Sequence, residues 1–130
     1  MASSGTPGTR GAGRDPAPSD AGEVHLREEA GGTIVTVAGA LDLALAPLLR
    51  QAVERAARLR PELLVLDLSQ LSFLASAGMA ELVRAHRQRP TGTRMRVVAT
   101  GRLVLRPLEL TRLTDELDIR PTLAAALEDP

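Results

Sequence analysis

The chain has 130 residues with sixteen basic and sixteen acidic side chains, so its formal net charge is zero. This length suits one domain with its own core, and the balanced charge gives no general attraction to nucleic acid or to a membrane surface. The absence of cysteine excludes disulfides, thiolate metal sites and a cysteine nucleophile, while the absence of lysine excludes a Walker A loop, a Schiff base and a lysine base.

Residues 1–22 are predicted to form a disordered tail ahead of one domain over residues 23–130. The tail is rich in Gly, Ser, Pro, Ala and Thr and has almost no large apolar side chain, so it buries too little surface to offset its chain entropy. No apolar run has the length of a transmembrane helix or the character of a signal peptide. We therefore expect a cytoplasmic protein without membrane insertion.

A β-hairpin is predicted at the start of the domain. The alternating residues Val24–Glu29 suit an exposed edge strand, and the two glycines at 31–32 suit the turn. The second strand is predicted over Thr33–Ala38. His25 is expected to point to solvent from the edge strand, where a ligand role is not expected.

Asp42 stands directly before a helix predicted over Leu43–Leu59. A carboxylate at such a position accepts hydrogen bonds from the free amides of the helix start and interacts favourably with the helix dipole. Pro47 fits within the first turn, and Pro61 prevents the helix from continuing. The predicted apolar face contains Leu45, Leu48, Leu49, Ala52, Val53 and Ala56.

A buried strand with Leu66 in its centre is predicted over Leu63–Leu68, because nearly every position is apolar. A short loop with Phe73, the only aromatic residue, is predicted to follow. The next helix is predicted to end near Pro90. Its predicted apolar face contains Met79, Leu82, Val83 and His86.

Ser76 lies in the turn between this strand and this helix. One interpretation is an ordinary N-cap, since serine is a preferred capping residue. Gly78 has no Cβ, so another backbone can approach closely there. A strand, a loop and a helix start are also the usual setting for a site in an α/β fold, so a functional role is the second interpretation.

The remaining pattern predicts a strand over Arg94–Ala99, a helix over Leu103–Leu113, a brief strand over Leu117–Ile119 and a helix over Pro121–Leu127. The predicted order is therefore β-β-α-β-α-β-α-β-α. Strands that alternate with helices predict an α/β fold with a mixed, mostly parallel sheet of about five strands and flanking helices.

Enzymatic chemistry is not expected. A serine nucleophile needs a base within about 3 Å, whereas His86 lies ten residues after Ser76, which is about 15 Å along a helix. The nucleophile-elbow pattern lacks its first glycine because Leu74 stands there. Asp42 and Asp67 are two carboxylates without a third ligand. We predict no catalytic residue, no metal and no cofactor.

The pattern Asp-Leu-Ser-x-Leu-x-Phe-Leu-x-Ser-x-Gly over residues 67–78, followed by an amphipathic helix, resembles the signature of STAS domains, the anti-sigma factor antagonist family. The order of elements after about Glu23 and the C-terminal residues are also similar to that family. The segment Gly39-Ala-Leu-Asp42 resembles its Gly-Glu-Leu-Asp element, with Ala40 in place of Glu. The resemblance implies a single STAS-like domain.

The resemblance also implies that Ser76 is phosphorylated by a partner kinase and that Asp42 lies near it. It implies a partner-binding surface formed by Asp42, Ala75, Ser76, Ala77, Gly78 and Met79. In the best-known members Asp precedes the serine and Ser or Thr follows it, whereas this chain has alanines there. Ser69 and Ser72 are alternative acceptors.

The function that the resemblance implies is that of an anti-sigma factor antagonist. Such a protein binds an anti-sigma factor that is also a serine kinase, releases a sigma factor, and is switched off by serine phosphorylation. It binds neither DNA nor ATP itself. The alternative is a non-phosphorylated binding or scaffold module, such as a lipid-transport accessory subunit or a stress-signalling component. The oligomeric state stays open.

Overall fold

A computed structural model describes residues 22–128, so the predicted tail, apart from Gly22, lies outside the described residues. The predicted order of strands and helices is confirmed, with one short 3-10 helix added before the last strand. The elements are β1 Glu23–Glu29, β2 Gly32–Leu41, α1 Ala46–Arg58, β3 Leu63–Leu74, α2 Ser76–Arg87, β4 Arg94–Val98, α3 Arg102–Leu110, the 3-10 helix Leu113–Asp115, β5 Ile119–Arg120 and α4 Leu123–Leu127.

The five strands form one sheet in the order β1-β2-β3-β4-β5. β1 pairs antiparallel with β2, and every later neighbour pairs in parallel. Each strand is followed in the sheet by the next strand in the sequence. Right-handed crossovers between parallel strands in this order place the connecting helices on the same face of the sheet. The buried side chains of α1, α2 and α3 accordingly share one core, while α4 packs against a smaller core on the other face.

The larger core is built on the inner strands β2, β3 and β4, which have neighbours on both sides. Leu66 is fully buried in its centre, between Val35 of β2 and Val97 of β4. Ile34, Val65 and Val98 point to the smaller core. Burial on both faces explains why the sequence of β3 is nearly continuous in apolar residues at its start.

A buried arginine helps to hold α4 on the second face of the sheet. Arg96 of β4 is 2% exposed, and its Nη1 donates hydrogen bonds to the carbonyl oxygens of Ala126, at 2.8 Å, and of Glu128. Its Nε lies 3.5 Å from a carboxylate oxygen of Asp118. Thr122 caps the start of this short helix by accepting a hydrogen bond from the amide of Ala125.

Two predictions around the central strand are wrong in detail. β3 continues through Phe73, which was predicted in a loop, because the long second strand offers backbone partners as far as Leu41. Phe73 pairs with Ala40 beyond two register shifts. The helix α1 begins at Ala46 rather than Leu43, because residues 42–45 form a turn first.

The predicted apolar faces also need correction. Leu48 is 49% exposed although it was assigned to the buried face of α1. In α2 the buried residues are Gly78, Glu81, Leu82 and Ala85. Of the predicted face only Leu82 is buried, and Met79, Val83 and His86 are half-buried. A charged residue, Glu81, takes a buried position because a cation from α1 neutralises it.

That cation is Arg50, which joins α1 to α2. Its Nη2 lies 2.6 Å from Oε2 of Glu81, and its Nε donates to the same carboxylate at 3.1 and 3.2 Å. The Glu81 side chain is 7% exposed. The Arg50 side chain is 45% exposed, so its removal would leave a buried carboxylate without its closest cation, which is unfavourable. The ion pair thus keeps the two helices in one relative position.

Candidate functional site

The carboxyl ends of β2 and β3 lie side by side, and a backbone hydrogen bond connects the two segments at this point. The amide of Ala75 donates to the carbonyl oxygen of Leu41 at 2.9 Å. Asp42 follows one of these two residues and Ser76 follows the other. The structure therefore brings the two residues that the sequence singled out to the same edge of the sheet.

Ser76 is the first residue of α2 and is exposed. The N-cap position belongs to Ala75, whose backbone is extended, and no side chain caps the helix. The interpretation of Ser76 as an ordinary N-cap is therefore wrong. Within residues 22–128 its hydroxyl has no hydrogen-bond partner, so it is free to meet another molecule.

Asp42 caps the turn that leads into α1, as predicted from its position. Its Oδ1 accepts hydrogen bonds from the amides of Ala44, at 3.1 Å, and Leu45, at 3.0 Å. Its carbonyl oxygen accepts from the amide of Ala46 at 2.9 Å. These contacts hold the carboxylate in a defined place at the edge that also carries Ser76.

Gly78 is buried against the end of β2, which shows why this position lacks a side chain. A Cβ added there would lie 2.5 Å from Cγ and 2.8 Å from Cδ2 of Leu41, and 3.0 Å from its carbonyl oxygen. The backbone that was predicted to approach Gly78 closely is therefore that of Leu41 in the same chain. It holds the first turn of α2, and with it Ser76, against β2.

We expect Gly78→Ala to lower the free energy of unfolding by about 1–3 kcal/mol through overpacking, although alanine is the better helix former. Leu41 is fully buried, so its side chain cannot turn into solvent to make room. Urea denaturation measures the effect. The double variant Gly78→Ala/Leu41→Ala is the control, since its cost should be smaller than the sum of the two single costs. Simple additivity would contradict the packing argument.

Small and half-buried side chains surround the serine. Ala75 and Ala77 are partly exposed on either side of it. Met79 is half-buried, and its Sδ lies 3.7 Å from the hydroxyl oxygen of Thr111, just after α3. The first turn of α2 contains no acidic residue. A partner can approach the Ser76 hydroxyl closely, and no carboxylate of this turn repels an anion there.

Three large apolar side chains stand exposed at the same edge of the sheet, and we call them the apolar rim. They are Leu43 at 79% exposure, Phe73 at 55% and Leu103 at 72%. Phe73 lies at the carboxyl end of β3, Leu43 follows the end of β2 by two residues, and Leu103 lies in the first turn of α3, the helix that follows β4. None of these three residues was predicted to belong to the site. The sequence nevertheless contains a pattern that could have identified them, because each is a large apolar residue near the end of a strand and outside the buried face of a helix.

The histidines do not join this site. His86 lies near the far end of α2 from Ser76, where its Nδ1 lies 3.0 Å from the Arg89 guanidinium. Burial, and then the charge of Arg89, lower the pKa of His86. His25 is 68% exposed on the edge strand, as predicted, and its Nε2 lies 2.9 Å from a carboxylate oxygen of Glu23. Neither imidazole can serve Ser76 as a base.

Within residues 22–128, no three His, Asp or Glu side chains converge as a set of metal ligands. No helix in this part of the chain has the length and apolar character needed to cross a membrane.

Comparison with known proteins gives consistent matches. A family model described as STAS domain matches residues 23–126. The anti-sigma-F factor antagonist RsfB of Mycobacterium tuberculosis is 30% identical over 104 residues, which are 80% of this chain and 85% of that protein. A crystal structure of an anti-sigma factor antagonist from Mycobacterium paratuberculosis is similar with a TM-score of 0.79 at 34% identity, covering 83% of this chain and 92% of that one.

The structure of the anti-sigma factor antagonist SpoIIAA in its unphosphorylated form is similar with a TM-score of 0.63. The match covers 79% of this chain and 92% of that one, at 15% identity. This last likeness concerns the fold alone.

Proposed function

The chain belongs to the STAS domain family, and on this premise we propose that it is an anti-sigma factor antagonist, which binds an anti-sigma factor and so releases a sigma factor. The observation that carries the proposal is the setting of Ser76. An exposed hydroxyl without a partner among the described residues stands at a helix start, between small side chains and beside the apolar rim. The matched mycobacterial proteins carry the same functional name.

The proposed partner is an anti-sigma factor with serine kinase activity, and the proposed switch is phosphorylation of Ser76. In the unmodified protein, no large side chain projects from the surface at Ala75, Ser76 and Ala77, so a partner can pack closely there. The apolar rim supplies additional area that a partner can bury. A phosphate adds about −1.5 to −2 charges and three acceptor oxygens at the centre of that surface. Met79 and Gly78 contribute by keeping the first turn of α2 in place.

The protein in this proposal acts by binding and performs no catalysis. It needs no cofactor of its own and contacts no nucleic acid, because the partner supplies the ATP and the sigma factor supplies the contact with RNA polymerase. Its proposed location is the cytoplasm, where these partners act. The domain proposed for the activity spans residues 23–130, and residues 1–22 are not required for it.

The test is a titration of purified anti-sigma factors of the source organism with the full chain, in the presence of ADP and then of ATP. We expect one of them to bind in ADP and to release its sigma factor, which gel filtration detects. With ATP the same protein should phosphorylate the chain and then dissociate. Absence of binding to every anti-sigma factor, together with binding to a transporter subunit, would assign the chain to the scaffold alternative instead.

Asp42→Asn should separate the charge of this residue from its capping role. The amide oxygen of asparagine accepts the same two hydrogen bonds, so we expect the free energy of unfolding to change by less than about 0.5 kcal/mol. Phosphorylation of Ser76 or binding of the anti-sigma factor should nevertheless fall severalfold, because the fixed carboxylate is lost from the sheet edge that also carries Ser76. Chemical denaturation and a kinase assay measure the two effects.

Asp42→Ala is the matched variant for this test, because it removes the cap as well as the charge. It should cost about 1 kcal/mol of stability in addition to the functional loss. If Asp42→Asn is phosphorylated and bound at the wild-type level, Asp42 serves the turn before α1 and has no part in recognition.

A further inference from the structure

The outer edge of β1 pairs with no other strand within residues 22–128. β1 is seven residues long, and its pairing with β2 shows no register shift. Proteins commonly protect an edge strand by making it very short or by placing a proline or a bulge in it, and β1 has none of these features. An open strand of this length can accept another strand through its free backbone groups.

The register of the first hairpin shows which backbone groups are free. Glu29 and Gly32 close a two-residue turn and therefore form a hydrogen-bonded pair, and such pairs alternate along an antiparallel ladder. The amide and carbonyl groups of Val24, Leu26 and Glu28 consequently point away from β2, along the open edge. The side chains of Val24 and Leu26 pack against the larger core. The other face of the strand carries the charged and polar side chains Glu23, His25, Arg27 and Glu29.

Exposed apolar side chains of α1 stand beside this edge. Helix α1 contacts β1, β2 and α2, and its residues Arg50 and Val53 line the groove toward α2. With 3.6 residues per turn, Leu48, Arg55 and Leu59 lie within about 40° of one another on the opposite flank of α1. Leu48 is 49% exposed and Leu59 is 50% exposed. This flank of α1 and the open edge of β1 together form a surface that we call the edge surface.

We propose that the edge surface binds a second copy of the chain, with the two β1 strands antiparallel about a two-fold axis perpendicular to the sheet. The two five-stranded sheets then join edge to edge. The same axis makes the two α1 helices antiparallel neighbours on one face of the joined sheet, so that Leu48 and Leu59 of both copies can be covered. A two-fold contact between identical surfaces is the commonest arrangement in homo-oligomers.

The side chains of β1 favour one register for this pairing. The free backbone groups allow registers centred on His25, on Leu26 or on Arg27. The register centred on His25 places Glu23 opposite the partner's Arg27, and Val24 opposite the partner's Leu26. Opposite charges and apolar pairs are both favourable when they face each other across two strands.

The other two registers bring unlike side chains together. The register centred on Leu26 places Glu23 opposite the partner's Glu29. The register centred on Arg27 places two arginines opposite each other, and Leu26 opposite the partner's Glu28. Like charges directly opposite each other destabilise a pair of strands. The charges of β1 therefore discourage the wrong registers without blocking the one centred on His25.

The contacts that Glu23 and Arg27 make within one copy do not prevent this pairing. Glu23 lies 2.9 Å from His25, and Arg27 lies 2.7 Å from Glu29, with side chains between 41% and 68% exposed. Arg27 also donates to the hydroxyl of Thr36. Exposed ion pairs hold their side chains only weakly, so these side chains remain available to a second copy.

The edge surface does not overlap the site at Ser76. Helix α1 lies between the open edge of β1 and helix α2, which begins with Ser76. Each subunit of the dimer can therefore bind an anti-sigma factor. The inference is independent of the proposed function, and a failure of one leaves the other standing.

Sedimentation velocity of the full chain over a series of concentrations is the first measurement. We expect a reversible shift from monomer to dimer as the concentration rises, and no larger species, because the two-fold contact is closed. A chain that stays monomeric up to about 1 mM would have no affinity of the size expected for a specific contact. That result, or a series of larger oligomers, would overturn the proposal.

A cysteine placed on the two-fold axis tests the register, since the chain has no cysteine of its own. Residue 25 would face its copy in a pair without hydrogen bonds, where the Cα atoms are about 4.5 Å apart and within reach of a disulfide. His25→Cys should form a disulfide-linked dimer under mild oxidation. Arg27→Cys, the matched control on the same face of β1, should not. Equal linkage of both variants, linkage of Arg27→Cys alone, or linkage of neither would overturn the proposal.

A charge exchange tests the contact between the two strands. Arg27→Glu should weaken the dimer by about tenfold, because two symmetric Glu–Arg contacts become two Glu–Glu contacts. Glu23→Arg/Arg27→Glu restores opposite charges across the axis and should recover most of the affinity. The melting temperature of each variant shows whether folding is retained. A double variant that dimerises no better than Arg27→Glu would contradict the register.

The leucines of α1 provide a test of the helix contact. Leu48→Glu should weaken the dimer severalfold, because it places a charge between the two α1 helices. Leu110→Glu, the same change on an exposed leucine of α3, is the matched control and should have no effect. An equal loss in both variants would contradict the proposed position of the contact.

Hydrogen exchange separates a second copy from the other possible occupant of the edge, which is the segment before Gly22 of the same chain. The amides of Val24, Leu26 and Glu28 report on the open edge. Their protection should rise with protein concentration, in step with the dimer seen by sedimentation. Protection that does not depend on concentration would assign the edge to residues 1–21 of the same chain and overturn the proposal.

Discussion

Replacing Ser76 with glutamate is expected to weaken binding of the anti-sigma factor by roughly 30-fold or more, equivalent to about 2 kcal/mol, because an anion without a counter-charge is placed in the contact. The wild-type hydroxyl is neutral and exposed, and the residues beside it are alanines. The apolar rim lies at the same edge, so a partner that buries it also buries the carboxylate.

The shape of the free domain should not change with this substitution. The first amides of α2 have no side-chain cap, so they can solvate a carboxylate or a phosphate at position 76. Circular dichroism and the melting temperature of Ser76→Glu should therefore match those of the wild type. The loss of binding would then arise from local charge and bulk rather than from refolding.

Ser76→Ala is the matched variant. It should bind the anti-sigma factor at least as well as the wild type and should remain bound after ATP is added, since the acceptor is gone. Titration calorimetry measures affinity, and mass spectrometry after incubation with kinase and ATP locates the phosphate.

The neighbouring serines provide the decisive control. Ser69 and Ser72 are both exposed on β3, and the amide of Ser69 donates to Oδ1 of Asp67 at 3.0 Å. Ser69→Ala and Ser72→Ala should be phosphorylated and released like the wild type. Phosphate found only on these two residues, or wild-type affinity of Ser76→Glu, would show that the switch lies elsewhere.

Leu66→Ala is expected to lower the free energy of unfolding by about 2–5 kcal/mol, the range found for large-to-small substitutions in a packed core. Leu66 is completely buried, with a relative exposure of 0%, and strands flank it on both sides. Neighbouring strands cannot collapse into the space that the side chain leaves. Urea denaturation followed by circular dichroism measures the change in midpoint at constant slope.

Leu43→Ala is the control for this prediction, because it removes the same atoms from a side chain that is 79% exposed. Its free energy of unfolding should change by less than about 0.5 kcal/mol. Its affinity for the anti-sigma factor should fall, since Leu43 belongs to the apolar rim. A negligible shift for Leu66→Ala would mean that the centre of β3 tolerates a cavity, contrary to its packing.

Much of the fold was predictable because its signals are local. The apolar run at Leu63–Leu68 and the helical spacing of Leu45, Leu49 and Ala52 reflect burial that the structure confirms. Proline and glycine marked the ends of elements, so the order of strands and helices came out correctly. The observed boundaries differ from the predicted ones by a few residues. A turn delays the start of α1 to Ala46, and pairing with β2 extends β3 to Leu74.

The candidate site was less predictable because contacts between distant parts of the chain create it. No local pattern distinguishes Ser76 as a first helical residue from Ser76 as an N-cap; the pairing of Leu41 with Ala75 decides it. Glu81 lay outside the predicted apolar face because its partner, Arg50, is on another helix. The apolar rim likewise exists only because three parallel strands end at one edge.

By itself the sequence determined the α/β class, the order of the elements and the position of Ser76 between a strand and a helix, because periodicity and turn residues act over a few neighbours. Only the tertiary structure decided which side chains share a surface. Parallel pairing gathered Asp42, Ser76 and the apolar rim at the carboxyl ends of the strands. The same crossovers carried the C-terminal ends of α1 and α2 to the opposite edge of the sheet, away from this surface.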